Sequence, residues 1–122
     1  MDGKLSALNG YFEEQIRRCA ERREALLADE RGDEANFEKV RSNVFDIFRT
    51  VLSAAERQGK GDPEAVRRFF WEKTEQIPSS WAAACEKARE HGDPVRLRIE
   101  QIKLDAIGEI RDCFARIWEE EP

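Results

Sequence analysis

TEQIPSSWAAAC, residues 74–85, sets Pro78 midway along a stretch that otherwise reads as one amphipathic helix. Whether that proline ends the helix or bends it decides the architecture. A loop would leave the apolar residues on its two sides no reason to share a phase. They do share one: Val66, Phe70, Lys73, Ile77, Trp81, Ala84 and Ala88 follow one another at steps of three and four, the helical period. A proline inside a helix removes the hydrogen bond to the carbonyl four residues back, here Thr74, and clashes with it. The cost is about 3 kcal/mol and the usual result is a bend. Ser79 or Ser80 is an alternative cap for a new helix starting near Trp81, although neither has an acid or amide three residues on to complete a capping box. The shared phase therefore predicts a third helix kinked, or at most broken, near Pro78.

Outward from that stretch, three punctuation marks divide the chain: RGDEA at 31–35, KGDPE at 60–64 and HGDPV at 91–95. Gly32, Gly61 and Gly92 are suited to the left-handed conformation that ends a helix. Asp33, Asp62 and Asp93 can accept from the free amides that begin the next one. Pro63 and Pro94 then fall at the first helical position, where a missing amide costs little. Arg31-Gly32-Asp33 also spells a cell-adhesion tripeptide, but the same residues serve as a turn. Connections this short favour antiparallel neighbours.

Between the marks, each segment carries an apolar stripe at helical spacing. The first holds Leu5, Leu8, Phe12, Ile16, Cys19 and Leu27; the second holds Phe37, Val40, Val44, Ile47 or Phe48, Val51 and Ala55. The third is the phase-preserving run through Pro78. The fourth holds Val95, Ile99, Ile102, Ala106, Ile110, Cys113 and Ile117. Four such stripes need one another for burial. The reading is an all-α, up-down-up-down four-helix bundle forming a single domain over residues 1–122, with helices at roughly 4–30, 34–58, 63–91 and 94–119.

Composition narrows the function classes. Charged residues make up 39% and hydrophobic residues 40% of the 122, which suits solvated helices with one buried face each. Residues 1–60 carry 12 acids and 11 bases, and residues 61–122 carry 14 acids and 10 bases, giving the net charge of −5. Neither half is net basic, so nucleic-acid binding is disfavoured. Trp81 to Cys85 is the longest apolar run, far short of the ~20 residues that cross a bilayer, so no membrane association is expected. MDGKLSALNG at the start lacks a signal-like apolar region. Cys19, Cys85 and Cys113 are odd in number and widely spaced, which argues against disulfides and zinc. A cytoplasmic protein is the expectation.

Catalytic constellations are sparse. A di-iron carboxylate centre needs inward glutamates on all four helices and two Glu-x-x-His pairs. His91 is the one histidine, with Lys87 and Ala88 before it, and no acid lies near the centre of any stripe. The cysteines fall on or beside apolar stripes, where they read as small hydrophobes. RQGKGDPE lacks the ending of a phosphate loop, and no serine elbow serves the histidine. No cofactor, metal or catalytic residue is assigned, and the reading leans away from an enzyme.

Two other features bear on function. Arg23 sits at the angular centre of the first stripe, and Arg41 and Lys73 lie near the edges of the second and third. With Thr74 and Trp81 at the kink, they make a candidate pocket for an anionic small molecule, against the plainer reading of snorkelling side chains. The second feature is surplus apolar surface. Leu97, Leu104 and Trp118 recur at heptad spacing away from the main stripe of the last helix, with Ile107 beside them and Trp71 similarly displaced on the third. Large side chains left over once a core is filled are the usual material of interfaces. The leading expectation is thus a non-catalytic interaction module that forms a homodimer through the fourth helix or binds a protein partner. A ligand-binding bundle is the runner-up, and a nucleic-acid-associated regulator comes third.

Overall fold

The structure, a computed structural model, describes residues 2–119. Every regular element among them is helical: α1 Asp2–Ala28, α2 Gly32–Gly59, α3 Pro63–Gln76, α4 Ser79–Glu90 and α5 Pro94–Glu119. The fold is the expected all-α bundle, with α3 and α4 as the two limbs of its bent third helix.

Local chemistry explains the boundaries. Asp62 Oδ1 accepts from the Glu64 amide at 3.1 Å behind Pro63, and Asp93 Oδ1 accepts from the Arg96 amide at 3.1 Å. α4 ends in a left-handed Gly92, with the Gly92 amide donating to Arg89 and the Asp93 amide to Ala88. The same paired closure ends α1, but two residues earlier than the glycine suggests. Glu30, at φ 57°, takes the left-handed position, the amides of Glu30 and Arg31 donate to Leu27 and Leu26, and Gly32 already belongs to α2. Closure bonds of this kind satisfy the orphan carbonyls whichever residue pays the modest left-handed cost.

At the bend the backbone never leaves the right-handed region: Ile77 lies at φ −60°, ψ −46° and Pro78 at φ −73°, ψ −6°. The Ile77 amide closes α3 on Lys73 at 3.0 Å, and the Ala82 amide opens α4 on the Pro78 carbonyl at 3.0 Å. Ser79 and Ser80 do not cap. Their hydroxyls donate backward to the carbonyls of Gln76 at 2.7 Å and Ile77 at 3.4 Å, while Thr74 donates to Trp71 at 2.6 Å. Such back-bonding occupies carbonyls beside the proline gap and favours bending.

Side-chain pairs fix the directions. Tyr11 meets Phe45 at 5.9 Å and Arg22 meets Glu38 at 3.6 Å, so α1 and α2 run antiparallel. Trp71 meets Phe114, Glu75 meets Arg111 and Trp81 lies under Lys103, so α3 and α4 run antiparallel to α5. Arg98 lies over Phe37, and Arg41 pairs with Glu109, which makes α2 and α5 parallel and brings them together across the diagonal. The order is up-down-up-down.

The core gathers at one end. Leu8, Phe12, Phe45, Phe48, Leu52, Val66, Phe70 and Ile110 are fully buried there, each large side chain contributing about 1.5–3 kcal/mol. Gly59 lets α2 close on α3, because a β-carbon there would lie 2.4 Å from Val66 Cγ2. Past the bend, α3's packing on α2 gives way to α4's packing on α5. The buried apolar side chains at that end are small: Cys19, Ala35, Cys85 and Ala88. Two stripe residues near helix termini are therefore out in solvent, Leu27 at 50% and Val95 at 63% exposure, and between the two readings of the second stripe Phe48 rather than Ile47 is buried.

Candidate functional site

The surplus aromatic residues come together along the seam between α3/α4 and α5. Phe114 is the pivot, stacked on buried Phe70 at 4.7 Å inside and on Trp71 at 5.8 Å and Trp118 at 4.9 Å outside. Cations hold the half-buried tryptophans. The Arg111 guanidinium lies 4.3 Å from the Trp71 ring, and Lys4, 5.8 Å from the Trp118 ring, donates to the Trp118 carbonyl at 2.7 Å. Desolvated contacts of this kind are worth up to about 2 kcal/mol.

Two hollows follow the seam. One, of about 430 Å³, is lined by Arg67, Trp71, Phe114, Ala115 and Trp118. The other, of about 400 Å³ and beside the bend, is lined by Thr74, Pro78, Ala82, Leu104, Gly108 and Arg111. Arg111 joins them, reaching Trp71 from the second hollow. Its nearest acid among the described residues is Glu75 at 3.7 Å, and its Nε is buried with no acceptor among them.

Of the interface residues read from the sequence, Trp71, Leu104, Ile107 and Trp118 line these hollows, and Leu97 is half-buried one heptad before Leu104. The five pocket residues lie apart. Arg23 is exposed on the last turns of α1. Arg41 pairs with Glu109, lies 4.9 Å over Phe45 and reaches Gln15 at 3.5 Å, all at the α1–α2–α5 junction. Lys73 covers Phe69 at 5.4 Å, Trp81 lies under Lys103, and Thr74 alone of the five lines the hollow at the bend. Stripe angle placed the three cations on inward faces without saying where along the bundle a neighbour stands opposite.

The α1–α2–α5 junction is the second polar locality. A cleft of about 180 Å³ lies between Phe37, Glu38, Arg41, Arg98, Ile102 and Asp105. Burial, helped by Glu38, pushes the Cys19 thiol up to about 11, and burial, helped by Cys113 and Glu109, pushes the Tyr11 phenol up to about 12. Burial also raises the Cys113 thiol. A reactive cysteine needs the opposite shift, so neither of these two thiols is activated as a nucleophile.

One buried acid escaped the sequence reading. Glu100 is only 1% exposed, its Oε1 held by Lys103 Nζ at 3.2 Å and Arg96 Nε at 3.1 Å, and its Oε2 has no hydrogen-bond partner among the described residues. Its spacing to Ile107 and Phe114 was the available signal. Arg111 was readable in the same way, at heptad spacing between Leu104 and Trp118.

Among the described residues no group of three or more His, Cys, Asp or Glu is placed to hold a metal, and no helix is long and apolar enough to cross a membrane. No protein-family model, curated protein or solved structure matches the chain.

Proposed function

We propose that this chain is a small, non-catalytic helical interaction module whose working surface is the α3/α4–α5 seam. The observation that carries the reading is the aromatic pivot: Trp71 and Trp118 are held in place by stacking and by cations, yet remain half-buried beside open hollows. Fixed, partly exposed tryptophans, one of them beside an arginine, are what interface hot spots are made of. Docking through α5 can take the form of a homodimer or of a complex with another protein. Three buried free thiols suit a reducing compartment, and the proposal places the protein in the cytoplasm.

Leu104→Glu tests the surface, because residue 104 is half-buried in the seam and a carboxylate there would stand among apolar side chains. Sedimentation of the wild-type chain at micromolar concentration, alone and with co-purifying protein, should show an associated species that Leu104→Glu dissociates. Association unchanged by the substitution would place the contact elsewhere, and a lone monomer in both would remove the reading. The hollow at the bend supports a second reading, a small anionic ligand seated between Thr74 and Arg111. Its mark would be a ligand-dependent rise in melting temperature that Arg111→Gln abolishes.

A further inference from the structure

Gly108 is exposed in the middle of α5, where glycine is a poor helix former. A β-carbon built there meets no atom within 4 Å, in contrast to Gly59, so no contact within the chain accounts for it. Gly10 on α1 is equally free of neighbours; what singles out Gly108 is the hollow it opens between Leu104, Arg111 and Ala82. Ala115, one heptad on, opens the adjoining hollow beside Trp118. Along this edge the large Leu104, Arg111 and Trp118 alternate with the small Gly108 and Ala115 at steps of four and three, and Leu97 precedes them by one heptad. Alternation of that kind leaves holes for the knobs of another helix. From Leu104 to Trp118 it runs about 21 Å, or four turns.

Acids stand along the groove: Glu64 and Glu119 line one hollow beside Arg67, and Glu75 lines the other beside Arg111. Asp105 and Asp112 are exposed one heptad apart on α5, outside the lining of the two hollows, and Asp105 also lines the cleft that holds Arg41 and Arg98; among the described residues neither makes an ion pair, and Asp105 receives only the Gln101 amide, at 3.1 Å. Glu75 on α3 and Glu86 on α4 are exposed, each paired with an arginine. We propose that the seam receives an amphipathic helix from another protein, with large apolar side chains seated over Gly108 and Ala115 and with Lys or Arg flanking them to meet Asp105 and Asp112. The inference rests on the interaction-module reading and specifies its partner by charge. A second copy's α5 fits less well. An antiparallel pairing that sets Gly108 against Arg111 and Ala115 against Leu104 also brings Asp105 toward Asp112 at two places, where like charges repel.

The test uses two designed helical peptides of about four turns with the same leucine stripe, one flanked by lysine and arginine and the other by glutamate. Binding to the full chain is followed by tryptophan fluorescence. The basic peptide should bind, more weakly as salt is raised, and the acidic one should bind at least about tenfold more weakly. Gly108→Leu fills the groove from an exposed position and should cost the basic peptide roughly tenfold or more in affinity, with circular dichroism confirming an intact fold. Asp105→Lys with Asp112→Lys should reverse the preference. Equal binding of both peptides, or undiminished binding to Gly108→Leu, overturns the proposal. So does a wild-type dimer that Gly108→Leu dissociates and the basic peptide leaves intact: the occupant is then a second copy, and the interaction-module reading survives. If no peptide binds and wild type and Gly108→Leu are both monomers with no co-purifying protein, the reading fails as well.

Discussion

On one side of Pro78 the bundle is closed around rings. Phe12, Phe48, Phe70 and Phe114 interlock at centroid separations from 4.7 to 6.4 Å, drawing in α1, α2, α3 and α5 together. On the other side α4 follows α5, and the buried positions hold cysteine, alanine and the carboxylate of Glu100. The difference teaches where the fold's stability resides: the apolar area removed from water is concentrated before the bend. The seam beside the bend needs to supply less stability and can be shaped for contact.

Truncation is the strongest way to break that comparison. Phe70→Ala should cost about 3–5 kcal/mol, because its ring is fully buried and stacks within three aromatic contacts. Val95→Ala, at the open end, should stay within about 0.5 kcal/mol. Urea denaturation of the two variants reads both values, and comparable losses would show stability spread evenly along the bundle.

Alkaline titration gives the next largest effect. Cys19 and Tyr11 have folded pKa values of about 11 and about 12 against ordinary values of 9.0 and 10.0. Above the ordinary values the unfolded chain releases protons that the folded chain retains, so stability is present below about pH 9 and falls as pH rises through the folded values. Tyr11→Phe should flatten the part of the decline above pH 10 in thermal melts. A decline identical to wild type would mean that the phenol ionises as freely in the folded chain as in the unfolded one.

The smallest expected effect is a gain. Glu100→Leu removes a buried carboxylate whose second oxygen is unpaired, leaving Lys103 and Arg96 with partial access to water. Replacing a buried, imperfectly satisfied charge by an apolar group is often neutral or stabilising, so a change between zero and about 1 kcal/mol in favour of the variant is expected. A loss above about 2 kcal/mol would show that the two cations hold Glu100 more firmly than its orphan oxygen indicates.

Much of the fold was legible because its signals are local. Asp62 and Asp93 cap as their Gly-Asp-Pro contexts imply, and the unbroken phase across Pro78 corresponds to a backbone that stays right-handed there. What could not be read was set by partners distant in sequence. Glu30 rather than Gly32 closes α1 because paired carbonyl bonds, not a glycine, decide that end. Val95 and Leu27 fit their stripes but lie where a helix has little opposite it, and Glu100 is buried because α5 turns that face inward. The seam was legible from Leu97, Leu104 and Trp118 at heptad spacing. Arg111 and Gly108 were hidden in it, since nothing in the sequence sets that cation beside a tryptophan or that glycine beside a hollow.

The bend also sets how the chain should come apart. Because α4 leans mainly on α5, through Trp81, Cys85 and Ala88, it can detach while the interlocked rings of Phe12, Phe48, Phe70 and Phe114 stay together. Local opening of this kind gives a cooperative unit with its own, lower free energy. In native-state hydrogen exchange the α4 amides should lose protection ahead of those in the middle of α2, and a protease should cut first between Pro78 and Gly92.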